Sequence, residues 1–281
     1  MALPDFLIIG AMKCGTSTLA ARLGAQPGVF LTTPKEPEFF SDDTIHARGR
    51  EWYESLFAAA PPGARLGEAS TGYTKQPTHP EAPGRIRALL PEARLVYIIR
   101  NPLDRLVSHY MHDWTMGVMD GSLSDALQRH PELVDYGCYA RQIAPYLDSF
   151  GPERVLLLTL EEMRSAPEAV LARAHAFIGA SGTPCWQPEL ERVNASEERF
   201  RRLPLQRLWL DNPLARGLRR TLVPRSLRAR VRRSRQMQAR PVLNAAERAA
   251  LLPVFARDFA RLRRLFPGRT DIDRCYPFLS P

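Results

Sequence analysis

Residues Gly10-Ala-Met-Lys-Cys-Gly-Thr-Ser-Thr18 join a short apolar run, Phe6-Leu-Ile-Ile9, to a helix-compatible run from Thr16 to Leu23. Two glycines at G-x-x-x-x-G separation let consecutive backbone N–H groups wrap an anion, and the positive end of the following helix favours that charge. Strand, glycine loop and helix form the first half of a βαβ unit. Such a unit commits a chain to parallel strands joined by crossover helices, with both sheet faces covered.

The rest of the pattern agrees. Arg94-Leu-Val-Tyr-Ile-Ile99 and Arg154-Val-Leu-Leu-Leu-Thr-Leu160 are continuous apolar runs of strand length, as expected for strands buried on both faces. Helices are expected over Glu51–Phe57, Ala82–Leu90, Leu103–Trp114, Cys138–Phe150, Pro167–Ile178 and Ala245–Leu265. The alternation predicts an α/β fold of three layers around a mostly parallel sheet, in one domain over residues 1–281. Residues 184–241 have weak periodicity and are read as a basic, lid-like segment of that domain.

Charge separates that segment from the rest. Arg199 to Arg240 holds fourteen arginines against the single acid Asp211, so the remainder carries a net −4 although the whole chain carries +9. A basic segment of this kind faces solvent, an anionic nucleotide, an acidic acceptor or a membrane surface. Binding of nucleic acid is not expected, because Trp209 is the only aromatic after Phe200 in the stretch and no reading motif is present. Cys14, Cys138, Cys185 and Cys275 are widely spaced and show no metal-ligand pattern, which fits a reducing compartment without structural zinc. No run approaches the roughly 20 apolar residues of a membrane span. The opening MALPDFLIIGAMK also lacks a basic n-region, so a cytoplasmic enzyme is expected.

The loop departs from that of a nucleotide triphosphatase in two ways. Thr16 stands where such an enzyme carries its lysine, and the loop's lysine is Lys13. After the strand ending at Ile99, where an acid would help hold Mg²⁺, the chain has Arg100. A guanidinium there repels a metal and attracts a second phosphate. A nucleotide with phosphates at two separate places, such as 3′-phosphoadenosine-5′-phosphosulfate (PAPS), meets both conditions.

Four segments in this order, PDFLIIGAMKCGTSTL at 4–19, KEPEFF at 35–40, GEASTGY at 67–73 and IIRNPLDRLVSHY at 98–110, resemble the PAPS-dependent sulfotransferases. The likeness is to the branch holding the heparan sulfate enzymes and many bacterial relatives. The resemblance implies that Lys13, Gly15, Thr16, Ser17 and Thr18 form the P-loop-like 5′-phosphosulfate loop. Cys14 is counted with that loop as a nucleotide-binding position, a small packing residue rather than a nucleophile. It also implies that Arg100 and Ser108 hold the 3′-phosphate, with no metal required, and that Glu36 is the catalytic base. Arg199 and Arg202 are candidates for a basic segment that closes the nucleotide site. One position departs: after Glu68, where the heparan enzymes carry a lysine near the sulfate, this chain has Ala69.

The expected reaction is in-line sulfuryl transfer from PAPS to a hydroxyl, less often an amine, of a carbohydrate, lipid or natural-product acceptor, leaving PAP. Lys13 stabilises the charge on the departing phosphate oxygen and Glu36 removes the acceptor proton. Glu38, His109 and His112 are alternative bases. Trp52 and Tyr53 are assigned to the core. The rival readings are an ATP/Mg-dependent small-molecule kinase and a basic nucleic-acid-binding protein. Acceptor identity and oligomeric state are not readable from the sequence.

Overall fold

The computed structural model describes residues 2–187, 237 and 239–279. Five strands, β1 (Phe6–Gly10), β2 (Val29–Leu31), β3 (Arg65–Ala69), β4 (Arg94–Ile99) and β5 (Val155–Thr159), form one parallel sheet in the order β2-β3-β1-β4-β5. Among the described residues every strand pair is parallel, so the sheet is more uniform than the expected "mostly parallel" one. The helices that cross between strands and cover the sheet are α1 (Thr16–Gly24), α2 (Asp43–His46), α3 (Gly49–Ser55), α4 (Ala82–Leu89), α5 (Pro102–Met116), α6 (Leu123–Arg129), α7 (Glu132–Asp135), α8 (Tyr139–Phe150), α9 (Leu160–Ser165), α10 (Pro167–Phe177) and α11 (Ala245–Leu265).

The apolar runs that announced β1 and β4 become the central pair. Phe6 to Ile9 and Leu95 to Ile99 are fully buried, with Phe6 opposite Arg94 and Ile8 opposite Val96. A register shift between Ile8 and Gly10 brings Gly10 opposite Tyr97. The chain leaves β1 towards β2 and β3 on one side, while β4 leads to β5 on the other. In open parallel sheets such a reversal opens a crevice at the carboxyl ends of the two strands, and ligands bind there. Gly10 and Arg100 stand at that place.

Caps fix the elements beside the crevice. Asn101 accepts from the backbone N–H groups of Leu103 (3.0 Å) and Asp104 (3.4 Å), Pro102 follows at the first turn, and Gly117 ends α5 in a left-handed conformation. α8 has no side-chain cap of its own. Asp258 of α11 supplies one from outside, accepting from Ala140 N (2.9 Å) and Arg141 N (3.2 Å), and so ties the C-terminal helix to the sheet's helical layer.

β3 was not expected, because Gly67 and Glu68 have low strand propensity. The reason for the glycine is the Phe6 ring: a Cβ at residue 67 would lie 2.3 Å from it. Phe6 therefore occupies the space a side chain would fill. Gly67→Ala is expected to lower stability by about 1–3 kcal/mol through overpacking, read as a fall in the urea midpoint at constant slope. An unchanged midpoint would contradict this packing.

Candidate active site

The glycine loop leaves β1 in a backbone path few residues can follow. Gly10 has φ 148°, and a Cβ there would meet Thr74 Oγ1 at 1.9 Å, the hydroxyl that donates to Ile9 O at 2.8 Å. Lys13 and Gly15 also have positive φ, 68° and 90°. Gly15 precedes α1 without a side-chain cap and no acid stands in the first turn. The first bond inside the helix runs from Leu19 N to Gly15 O, 3.1 Å. The N–H groups of Thr16, Ser17 and Thr18 thus have no acceptor within the helix, leaving a positively polarised rim for an anion.

Cys14 packs into the core from within the loop. Its side chain is fully buried and points into the core, with Sγ near Tyr139 Oη (3.5 Å), and its N–H is spent on Ala11 O. Burial pushes the thiol up to about 11, which disfavours the thiolate a nucleophile needs.

Arg100 turns back onto the loop. Its guanidinium donates to Lys13 O at 3.1 Å and lies 3.9 Å from Asp104 Oδ2, while its buried Nε has no partner. The Arg100 side chain thus abuts the Lys13 backbone at the glycine loop. Ser108 is buried on α5, four residues after Asp104 and on the same helix face. Asp104 also receives Arg240 at 3.1 Å.

Arg199 and Arg202 lie outside the described residues, as does most of 184–241. One described flank docks at the C-terminal end of α1 and the other at the start of α5. Trp186 lies under the Arg22 guanidinium of α1 at 3.6 Å, and Cys185 exchanges two hydrogen bonds with Gln26 (2.8 and 3.0 Å). Arg240 returns at the start of α5.

The segment 33–40 forms the opposite wall. Glu36 and Glu38 both have positive φ, 60° and 55°. Glu36 N donates to Ala69 O (3.0 Å) and Glu38 N to Ser70 Oγ (3.2 Å), so the segment runs along the end of β3. The Phe pair anchors it: Phe39 stacks on Tyr53 at 4.4 Å, and Phe40 meets Tyr73 edge-on at 5.5 Å. Tyr53 is buried, as expected, and Trp52 packs partly buried beside Phe39.

The carboxylates divide their work. Glu36 is 39% exposed, paired with Lys35 and approached by the Thr71 hydroxyl at 3.5 Å. Glu38 instead holds structure, accepting from Gly72 N (3.3 Å) and from the Ser41 hydroxyl. His109 is also engaged. Arg105 donates to Nδ1 (3.3 Å), which leaves the proton on Nε2 facing Asp113 at 3.1 Å, and the ring stacks on Tyr136. Burial depresses it to about 4, a neutral structural imidazole. His112 is half-buried on the same helix. Among the described residues, no three His, Cys, Asp or Glu gather as a metal site.

Glu68 was missed as a site residue. It is fully buried in β3 one residue before Ala69, and burial pushes its carboxyl up to about 7. Tyr73, Tyr53 and Ser70 surround it and Glu38 adds like charge, yet neither carboxyl oxygen has a partner in hydrogen-bond geometry. Only the fold reveals this, since the tyrosines come from α3 and from the turn after β3.

A parallel α/β sheet with an anion-binding loop at β1, a guanidinium at β4 and a carboxylate on the facing wall defines a nucleotide-dependent group-transfer protein without a triphosphatase loop. The chain belongs to the sulfotransferase domain family, whose pattern residues 3–204 match. It is 30% identical over 184 residues to human heparan sulfate glucosamine 3-O-sulfotransferase 6, covering 63% of this chain and 52% of that protein. It is 26% identical over 190 residues to the bifunctional heparan sulfate N-deacetylase/N-sulfotransferase 1 of Caenorhabditis elegans, covering 60% of this chain and 21% of that protein. The chain thus spans from a fifth to half the length of these relatives. Among solved structures, a sulfotransferase from Alicyclobacillus acidocaldarius superposes with a TM-score of 0.70 at 25% identity, over 98% of this chain and 100% of that one. The fold is also that of mouse sulfotransferase SULT7A1, solved with PAP, with a TM-score of 0.54 at 18% identity over 99% and 89% of the two chains.

Between pH 4.5 and about 7 the folded chain keeps the Glu68 proton that the unfolded chain releases, so folding stability falls as pH rises through that window. Glu68→Gln should flatten the dependence of Tm on pH between about pH 5 and about pH 7.5. A Tm profile parallel to that of the unaltered protein would remove Glu68 as its source.

Proposed function

We propose that this protein transfers the sulfuryl group of PAPS to the hydroxyl, less readily the amine, of a small-molecule or carbohydrate acceptor. The observation that carries the reading is the pairing of two features at adjacent strand ends. One is a glycine loop whose helix N–H groups have no acceptor within the helix. The other is the buried, partly unpartnered guanidinium of Arg100, where a kinase would place a metal-binding acid. These residues fit a nucleotide with two anionic ends. Lys13, Gly15, Thr16, Ser17 and Thr18 would hold the 5′-phosphosulfate, and Arg100 with Ser108 the 3′-phosphate. Arg199 and Arg202 remain proposed contributors from outside the described residues, as does a role of the basic segment towards acidic or membrane-bound acceptors.

The donor supplies an activated sulfuryl group; the chain positions and neutralises charge. Glu36 takes the proton of the acceptor hydroxyl as its oxygen bonds to sulfur. Lys13 and the loop N–H groups stabilise the negative charge left on the phosphate oxygen when its bond to sulfur breaks. Glu38 and His109 are less suited as base, because each is committed to structural partners. A reducing, cytoplasmic setting is proposed from the four free cysteines, three of them buried. No described helix is long and apolar enough to cross a membrane.

Isothermal titration should show tight binding of adenosine 3′,5′-bisphosphate with no metal present; a metal-dependent preference for ATP would overturn the assignment. Lys13→Ala should keep the fold and lose about 10²- to 10³-fold in turnover. Glu36→Gln should lose roughly 10²- to 10⁴-fold in kcat with bisphosphate affinity retained. Full activity in Glu36→Gln would move the base elsewhere.

A further inference from the structure

The acceptor's chemical class is left open by the donor site, and a cavity beside that site bears on it. Between α1 and the edge strand β2 lies a cavity of 560 Å³, within the usual range for small-molecule sites. One wall is a single face of α1. Ser17, Ala20, Ala21, Gly24 and Ala25 fall at helical spacing i, i+3, i+4, i+7 and i+8, and past Ser17 each is glycine or alanine. The facing wall is Phe30 and Leu31 of β2, both partly exposed. Bulkier residues on that helix face would close the space.

The cavity's polar and site-facing lining is sparse. Thr32 lines it and is only 7% exposed, yet its hydroxyl has no hydrogen-bond partner. The lining also includes Ser17 in the first turn of α1, Lys35 beside Glu36, and Ala69 at the end of β3. The cavity therefore borders both the helix start that follows the donor loop and the residue next to the candidate base. Its one lining cation, Lys35, is engaged by Glu36, so nothing among the lining residues is set out to meet a polyanionic sugar.

We propose that this cavity holds the hydrocarbon body of an apolar alcohol or phenol, whose hydroxyl lies beside Ser17, Lys35 and Ala69. The hydroxyl oxygen bonds to the sulfur of PAPS, its proton passes to Glu36, and PAP leaves with the electrons of the broken S–O bond. The inference rests on the sulfotransferase reading and adds the acceptor class to it.

The test uses the full chain with PAPS, following PAP release with a series of 4-alkylphenols from methyl to octyl, and with N-acetylglucosamine oligomers for comparison. If the cavity takes the alkyl chain, kcat/KM should climb about fourfold per methylene until the space is filled. Ala21→Phe or, independently, Ala25→Phe should remove most of that climb, raising KM for the octyl compound at least about tenfold. Both variants should leave bisphosphate binding and the rate with the methyl compound unchanged, which also reports that they fold. Sulfation of the sugars with no dependence on alkyl length would overturn this inference alone. A rise in both variants' bisphosphate Kd with no change in alkyl dependence would also overturn it, because the cavity would then serve the donor. Failure to bind the bisphosphate without metal would bring down the sulfotransferase reading, and this inference with it.

Discussion

The hydrogen bond from the Arg100 guanidinium to the Lys13 carbonyl joins the two halves of the molecule's chemistry, and the site depends on the contact it represents. It is possible only because β1 and β4 are adjacent, parallel and in register at their beginnings, so that both deliver their following loops to the same edge of the sheet. The apolar runs Phe6–Ile9 and Leu95–Ile99 secure that pairing by burying both faces. A single sheet seam thereby sets the distance between a backbone anion cradle and a fixed cation. The remaining site groups are arranged relative to that pair: α5 brings Ser108, and β3 carries the wall on which Glu36 rests.

That architecture was legible in the sequence to the extent that its determinants are local. The strand–glycine–helix opening, the buried runs of β1, β4 and β5, and the helix over Ala245–Leu265 each follow from patterns a few residues wide, and the last matches residue for residue. The elements that escaped have non-local causes. β2 is three residues long, and β3 contains Gly67 and Glu68, whose presence in a strand makes sense only once Phe6 and the tyrosines are placed around them. The short helices α2, α6, α7 and α9 are one to two turns each and lack enough periods to show a face.

The site divides in the same way. Lys13, Arg100 and Glu36 could be singled out because each sits in a motif whose residue types carry the chemistry. What motif reading could not provide is which side chains are already occupied. Cys14 faces Tyr139, Glu38 holds Gly72 and Ser41, and His109 is fixed between Arg105 and Asp113. Those partners lie up to 125 residues away in the chain. Glu36 is engaged too, by Lys35 and the Thr71 hydroxyl, but it is the more exposed of the two carboxylates in its segment, and its part as base belongs to the proposed function.

Glu68 shows how the wall opposite the donor loop is kept in shape. A carboxyl buried among Tyr53, Tyr73 and Ser70, with Glu38 nearby, is disfavoured as an anion, and the raised proton affinity follows from desolvation first and like charge last. When protonated, it can fill its position without demanding a counter-ion in the space beside Ala69. A lysine at 69 would extend a cation from the end of β3 into the crevice; alanine leaves that corner apolar, continuous with the small face of α1. The donor side of the crevice is thus built from charge, and the side facing α1 and β2 largely from its absence. On the proposed reading, an acceptor entering from that side meets a surface to bury against and few ions to pair with, so donor motifs shared with heparan-type relatives do not by themselves fix the acceptor.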